Sequence, residues 1–208
     1  MGDLVQGTVL DEQNAAFYTA TSLPNDQWAE VTIQALGIDD YVGASVRGAV
    51  TGTFYLLVAE GPTGAGAGSL NLVKQVATVQ SALTTYTVGA EVNSGVTVNV
   101  GSVVRIEAQG SVISGYLDGV LIVQAIDADI TSGFAGLFVQ AHGAENDATI
   151  SAFSAGNYQH AVTSVNFTST FIVSGGNPSV IGTIWFGGRE ISGSTNIMGT
   201  GQRTGTSR

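Results

Sequence analysis

The side chains able to do chemistry in this chain are few in kind. There is no cysteine, so thiol catalysis, disulfides and Cys-based metal sites are excluded. His142 and His160 are the only histidines, and neither has a partner at metal-ligand or base-nucleophile spacing; both read as loop or surface residues. No G-x-S-x-G elbow presents a serine nucleophile. The glycine-rich stretch Gly61–Gly68 resembles a phosphate loop only superficially, because no Lys-Ser/Thr follows it; a hairpin loop is the natural assignment. Among the carboxylates, Asp127-x-Asp129 and Glu145-x-Asp147 come nearest to the same-face pair that glycoside hydrolysis needs, and both fall in turns. Arg105 and Glu107 share one face of a strand and read as an ion pair rather than a substrate contact.

Two constellations remain. Asp39 and Asp40, in the turn GIDD, are candidate hard-oxygen ligands for calcium, with Asp127, Asp129 and Asp147 in later turns, although turn aspartates also serve the backbone alone. Trp28, Glu30, Ser45, Arg47 and Gln140 lie on outward parity of their strands. An aromatic ring with flanking hydrogen-bonding groups is what sugar recognition needs, while Trp28 would equally suit a core position at a strand entrance.

The elements that must position these residues are strands. In VRIEAQGSVISGYLDGVLIV, residues 104–123, Val104, Ile106 and Ala108 point one way while Arg105, Glu107 and Gln109 point the other. Gly110-Ser111 and Asp118-Gly119 make the turns, the latter suited to type I′, so the stretch predicts a three-stranded meander. QWAEVTIQAL and YVGASVRGAV alternate likewise, and TGTFYLLVAE is an almost continuous apolar strand. Further strands are predicted at 70–78, 84–92, 96–99, in FAGLFVQAHG and in TISAFSAG, the last closing the sheet system. Residues 1–27 form a leading segment with apolar contacts from Phe17, Tyr18, Leu23 and Pro24.

Composition agrees with this reading. The 208 residues include 29 glycines and three prolines, as many short strands joined by glycine turns require. The net charge of −10 arises from only 11% charged residues, so it belongs to a folded surface and argues against nucleic-acid binding. Residues 1–155 carry −12 and the remainder +2. No apolar run reaches the length of a membrane helix, and the first residues lack a signal-peptide pattern, so neither membrane insertion nor a leader is expected.

Taken in order, Trp28-x-Glu30, Gly43-x-x-x-Arg47, Arg105-x-Glu107, Tyr116-x-Asp118-Gly119, GLFVQ at 136–140 and Thr149-x-Ser151-x-Phe153 resemble the concanavalin A-like, laminin-G-like jelly-roll superfamily. The resemblance spans roughly residues 25–156. It implies an all-β sandwich of two antiparallel sheets, with the outward candidates on the concave sheet where ligands sit. Glycosidases of this fold carry an E-x-D-x-E strand, which this chain lacks, so no enzyme is expected. Stand-alone, cysteine-free versions resemble structural proteins of tailed phages.

The expectation is therefore a jelly-roll domain over residues 1–156 and an extended C-terminal arm over 157–208 with short strands. Phe171, Trp185 and Phe186 are the candidate intersubunit anchors. The main functional expectation is a homo-oligomeric virion decoration protein contacting other virion proteins. The alternative is an extracellular lectin-like module or phage receptor binder that takes a cell-surface glycan. Calcium is the one cofactor considered.

Overall fold

The computed structural model describes residues 5–6, 13–19, 23–62, 68–77, 79–142, 147–158, 184–186 and 189–191. The chain divides into two units, Met1–Tyr158 and Gln159–Arg208.

Among the described residues the first unit contains fourteen strands, beginning with β1 (Val5–Gln6), β2 (Asn14–Phe17), β3 (Gln27–Leu36), β4 (Tyr41–Ala49) and β5 (Thr53–Glu60). These are followed by β6 (Gly68–Val76), β7 (Val79–Ala82), β8 (Tyr86–Val88), β9 (Val92–Val96) and β10 (Val103–Gln109). The last four are β11 (Val112–Leu117), β12 (Val120–Ile126), β13 (Phe134–Gln140) and β14 (Ala148–Asn157). In the second unit β15 (Ile184–Phe186) pairs antiparallel with β16 (Arg189–Ile191).

Two antiparallel sheets make the sandwich. The first has the order β1-β14-β3-β10-β11-β12-β8, and the second has the order β2-β13-β4-β5-β6-β7, with β9 also on β6. The meander forms as its alternation requires, with Asp118 (φ 50°) and Gly119 (φ 80°) both left-handed in the turn. β14 pairs with β3 in the first sheet, and β1 rather than β14 lies at that edge. The apolar segments near 84–99 form the short strands β8 and β9 rather than the spans expected, and β2 forms within the leading segment.

Alternation places the core. Ala29, Val31 and Ile33 of β3 and Val104, Ile106 and Ala108 of β10 face Val42, Ala44 and Val46 of β4 and Tyr55, Leu57 and Ala59 of β5, all fully buried. β5 is apolar on both faces because its other side, Phe54, Leu56 and Val58, joins Phe138 in a second cluster on the outer face of the second sheet. Phe17 of β2 packs against that cluster, its ring centroid 5.7 Å from that of Phe54. It can lie there because Gly48 and Gly136 carry no Cβ; a methyl group at Gly48 would overlap the Phe17 ring.

Candidate functional site

The five residues on outward parity do not form one site. Trp28 and Glu30 sit on the first sheet, while Ser45, Arg47 and Gln140 sit on the second. Parity gives the side of the strand a side chain leaves from, but not what then covers it.

Arg47 is 2% exposed. Its guanidinium donates to the carbonyls of Asn25 (2.9 Å), Ile130 (3.0 Å) and Gly110 (2.7 Å), with Asp26 at 3.6 Å. It knits three loops together and has no face for a ligand. Burial works to lower its pKa, and Asp26 among other neighbours opposes this. Ser45 is also buried, beside Gly136 and the Phe17 ring that lies across it. Both are corrected from glycan contacts to structural positions.

Trp28 is engaged as well. The Arg105 guanidinium lies over its ring, 4.1 Å from the centroid, and Gly156 sits against the indole edge, where an added Cβ would come within 3.1 Å. Arg105 is held by Glu107 (2.7 Å) and Glu30 (3.2 Å), so the expected ion pair is present and Glu30 belongs to it.

The turn aspartates also have structural partners. Asp40 is buried and accepts the His142 backbone N–H at 2.7 Å, while Asp39 is exposed at φ 59°. Asp127 and Asp129 both receive Lys74, at 2.6 and 2.5 Å, and Asp127 also accepts the Tyr55 hydroxyl. Among the described residues, no three His, Asp, Glu or Cys side chains gather around a common point. Phe171 lies outside the described residues, as do the side chains of Trp185 and Phe186.

Gln140 leads to a different site. The ladders align Gln140, Tyr41, Glu60 and Ser69 in one row across β13, β4, β5 and β6. The next outward row is Phe138, Gly43, Val58 and Asn71, where Gly43 puts no side chain between Phe138 and Val58. A pocket of about 320 Å³ lies here, with Val58, Val73 and Phe138 among its apolar groups. Its polar lining comes from Gln13, Tyr41, Glu60, Asn71, Gln80, Gln140 and His142. A second hollow of about 240 Å³, lined by Ala15, Phe17, Phe54 and Gln75, shares Gln13 and Phe138 with it.

The polar lining is ordered by its own hydrogen bonds. Tyr41 donates to Glu60 Oε1 (3.1 Å) and Ser69 donates to Glu60 Oε2 (2.5 Å). Burial and the Glu60 charge push the Tyr41 hydroxyl up to about 12, so it stays protonated as a donor at physiological pH. Because the Ser69 hydrogen is committed to Glu60, its oxygen can only accept, and the Asn71 amide nitrogen donates to it at 3.1 Å. That fixes the amide orientation. Asn71 Oδ1 then faces away from Ser69, buried and without a hydrogen-bond partner. Gln140 Nε2 lies 3.2 Å from His142 Nε2, and the His142 ring meets Tyr41 edge-on at 5.6 Å.

An apolar floor edged by amides, a hydroxyl and one carboxylate suits a ligand bearing both C–H faces and hydroxyl groups. Among the described residues, Glu60 is the one Asp or Glu that lines the pocket. Tyr41, Glu60, Asn71 and His142 were missed in the sequence because they meet only through pairing of β13, β4, β5 and β6. The available signal was their shared outward parity beside the core positions Val42, Ala59, Leu70 and Ala141.

No protein-family model matches the chain, and neither does any curated protein. Among solved structures, the carbohydrate-binding module CBM66 from Bacillus subtilis aligns with a TM-score of 0.50 and 19% identity, over 76% of this chain and 89% of that one. A toad ovary galectin in complex with thio-digalactose aligns at 0.47 and 9%, over 69% and 97%. CG-16, a homodimeric agglutinin from chicken liver, aligns at 0.48 and 9%, over 70% and 100%. With two antiparallel sheets and no helix among the described residues, the first unit is an all-β jelly-roll sandwich, a fold it shares with CBM66.

Proposed function

We propose that this protein binds carbohydrate, through the pocket on the outer face of the second sheet. The observation that carries the reading is the pocket itself, in which Val58, Val73 and Phe138 are edged by the amides of Asn71, Gln80 and Gln140, the Tyr41 hydroxyl and the Glu60 carboxylate. The sugar would lie against the half-buried Val73 and Tyr41 at the mouth of the pocket, with Gln140, Gln80 and Glu60 within the same pocket for its hydroxyls. CBM66, which shares the fold, is itself a carbohydrate-binding module.

The reading is of a binding module rather than an enzyme. The fold shared with CBM66 favours this reading over the expected virion decoration role. The test is a glycan array followed by calorimetric titration of the full chain. Binding to a defined glycan that Asn71→Ala weakens about tenfold supports the proposal; no retention of any glycan contradicts it.

A further inference from the structure

We infer that the pocket selects uncharged sugars over carboxylated or sulfated ones, with Glu60 as the discriminating group. The inference rests on the carbohydrate-binding reading above and deepens it.

Among the described residues that line the pocket, the one fixed charge is the Glu60 carboxylate. It is braced by two hydroxyl donors, Tyr41 and Ser69, and has no ion-pair partner among the described residues. An ionised carboxylate offers about four acceptor sites. Two are engaged by these hydroxyls, and the rest can meet donors from a ligand. A neutral sugar answers such a lining with hydroxyl donors. A uronic acid or sulfate ester instead brings acceptors and a like charge into a partly dry pocket, where repulsion is stronger than in water.

No basic side chain of the first unit offsets this. Residues 1–158 contain three Lys or Arg, and each is committed elsewhere. Arg47 is spent on loop carbonyls, Lys74 bridges Asp127 and Asp129, and Arg105 lies on the other sheet between Glu30 and Glu107. The surrounding chain is acidic as well, with −12 over residues 1–155, so the longer-range field acts in the same direction.

The experiment compares, by calorimetry on the full chain, the best neutral oligosaccharide from the array with its uronic acid counterpart of the same linkage and length. The uronic form should bind at least tenfold more weakly to the unmodified protein, and Glu60→Gln should narrow that gap to threefold or less. Raising salt from 0.05 to 0.5 M should strengthen binding of the uronic form severalfold and leave the neutral ligand unchanged, a readout that needs no variant. Equal or tighter binding of the acidic ligand, or a gap that neither salt nor Glu60→Gln alters, overturns charge selection while leaving carbohydrate binding intact. Absence of binding to every glycan overturns the underlying reading instead.

Discussion

The guanidinium of Arg105 lies over the Trp28 ring, 4.1 Å from its centroid, and is itself held between Glu30 and Glu107. The ring is thus already stacked, and the cluster acts as a brace across β3 and β10. Trp28→Ala should lower stability by about 2 kcal/mol, through lost ring burial and the cation–π contact. Glycan affinity should stay within twofold. Thermal unfolding and titration of the same variant check both.

Pocket side chains should behave in the opposite way. Asn71→Ala and Gln140→Ala each remove one polar contact worth about 1–1.5 kcal/mol, so each should weaken glycan binding about tenfold. Stability should fall by no more than about 1 kcal/mol for Asn71→Ala, the worth of its hydrogen bond to Ser69. Calorimetry paired with denaturant titration separates the two effects.

Arg47→Ala leaves the carbonyls of Asn25, Gly110 and Ile130 without their donor inside the fold and should cost about 3 kcal/mol in urea unfolding. Arg47→Lys should recover little of this, because one ammonium cannot span three carbonyls placed for a planar fork.

The Lys74–Asp127 pair sets a pH dependence. Burial works to raise the Asp127 pKa, but hydrogen bonds from Lys74 and Tyr55 outweigh it and hold the carboxyl below its ordinary 3.8. Its contribution is therefore full above 3.8 and is lost as pH falls through the lower folded value. For Lys74, burial works downward and the bonds to Asp127 and Asp129 prevail, raising it above 10.5. Its contribution is full below 10.5 and fades as pH rises through the higher folded value. Asp127→Asn should flatten the acid limb of a stability-versus-pH curve measured by urea unfolding.

Much of this architecture is legible in the chain because a buried face imposes period two: Ala29, Val31, Ile33 and Val104, Ile106, Ala108 predict both their strands and their core positions. β2 was not legible, since it is a short edge strand whose Phe17 is buried only by Gly48 and Gly136 on strands distant in sequence. The same limit applied to the site. Gln140 was identifiable from parity, but Tyr41, Glu60 and Asn71 become neighbours only once four strands are in register. Arg47 and Ser45 have the right parity and the wrong cover.

The central claim is that the outer face of the second sheet is the binding face. Backbone amide shifts of the labelled full chain, recorded while titrating the best glycan from the array, test it most directly. The account predicts changes clustered at Asn71, Gln80, Gln140 and His142, with the Trp28 and Arg105 amides unmoved. Shifts centred on Trp28, Glu30 and Arg105, with the β5, β6 and β13 amides silent, would contradict it.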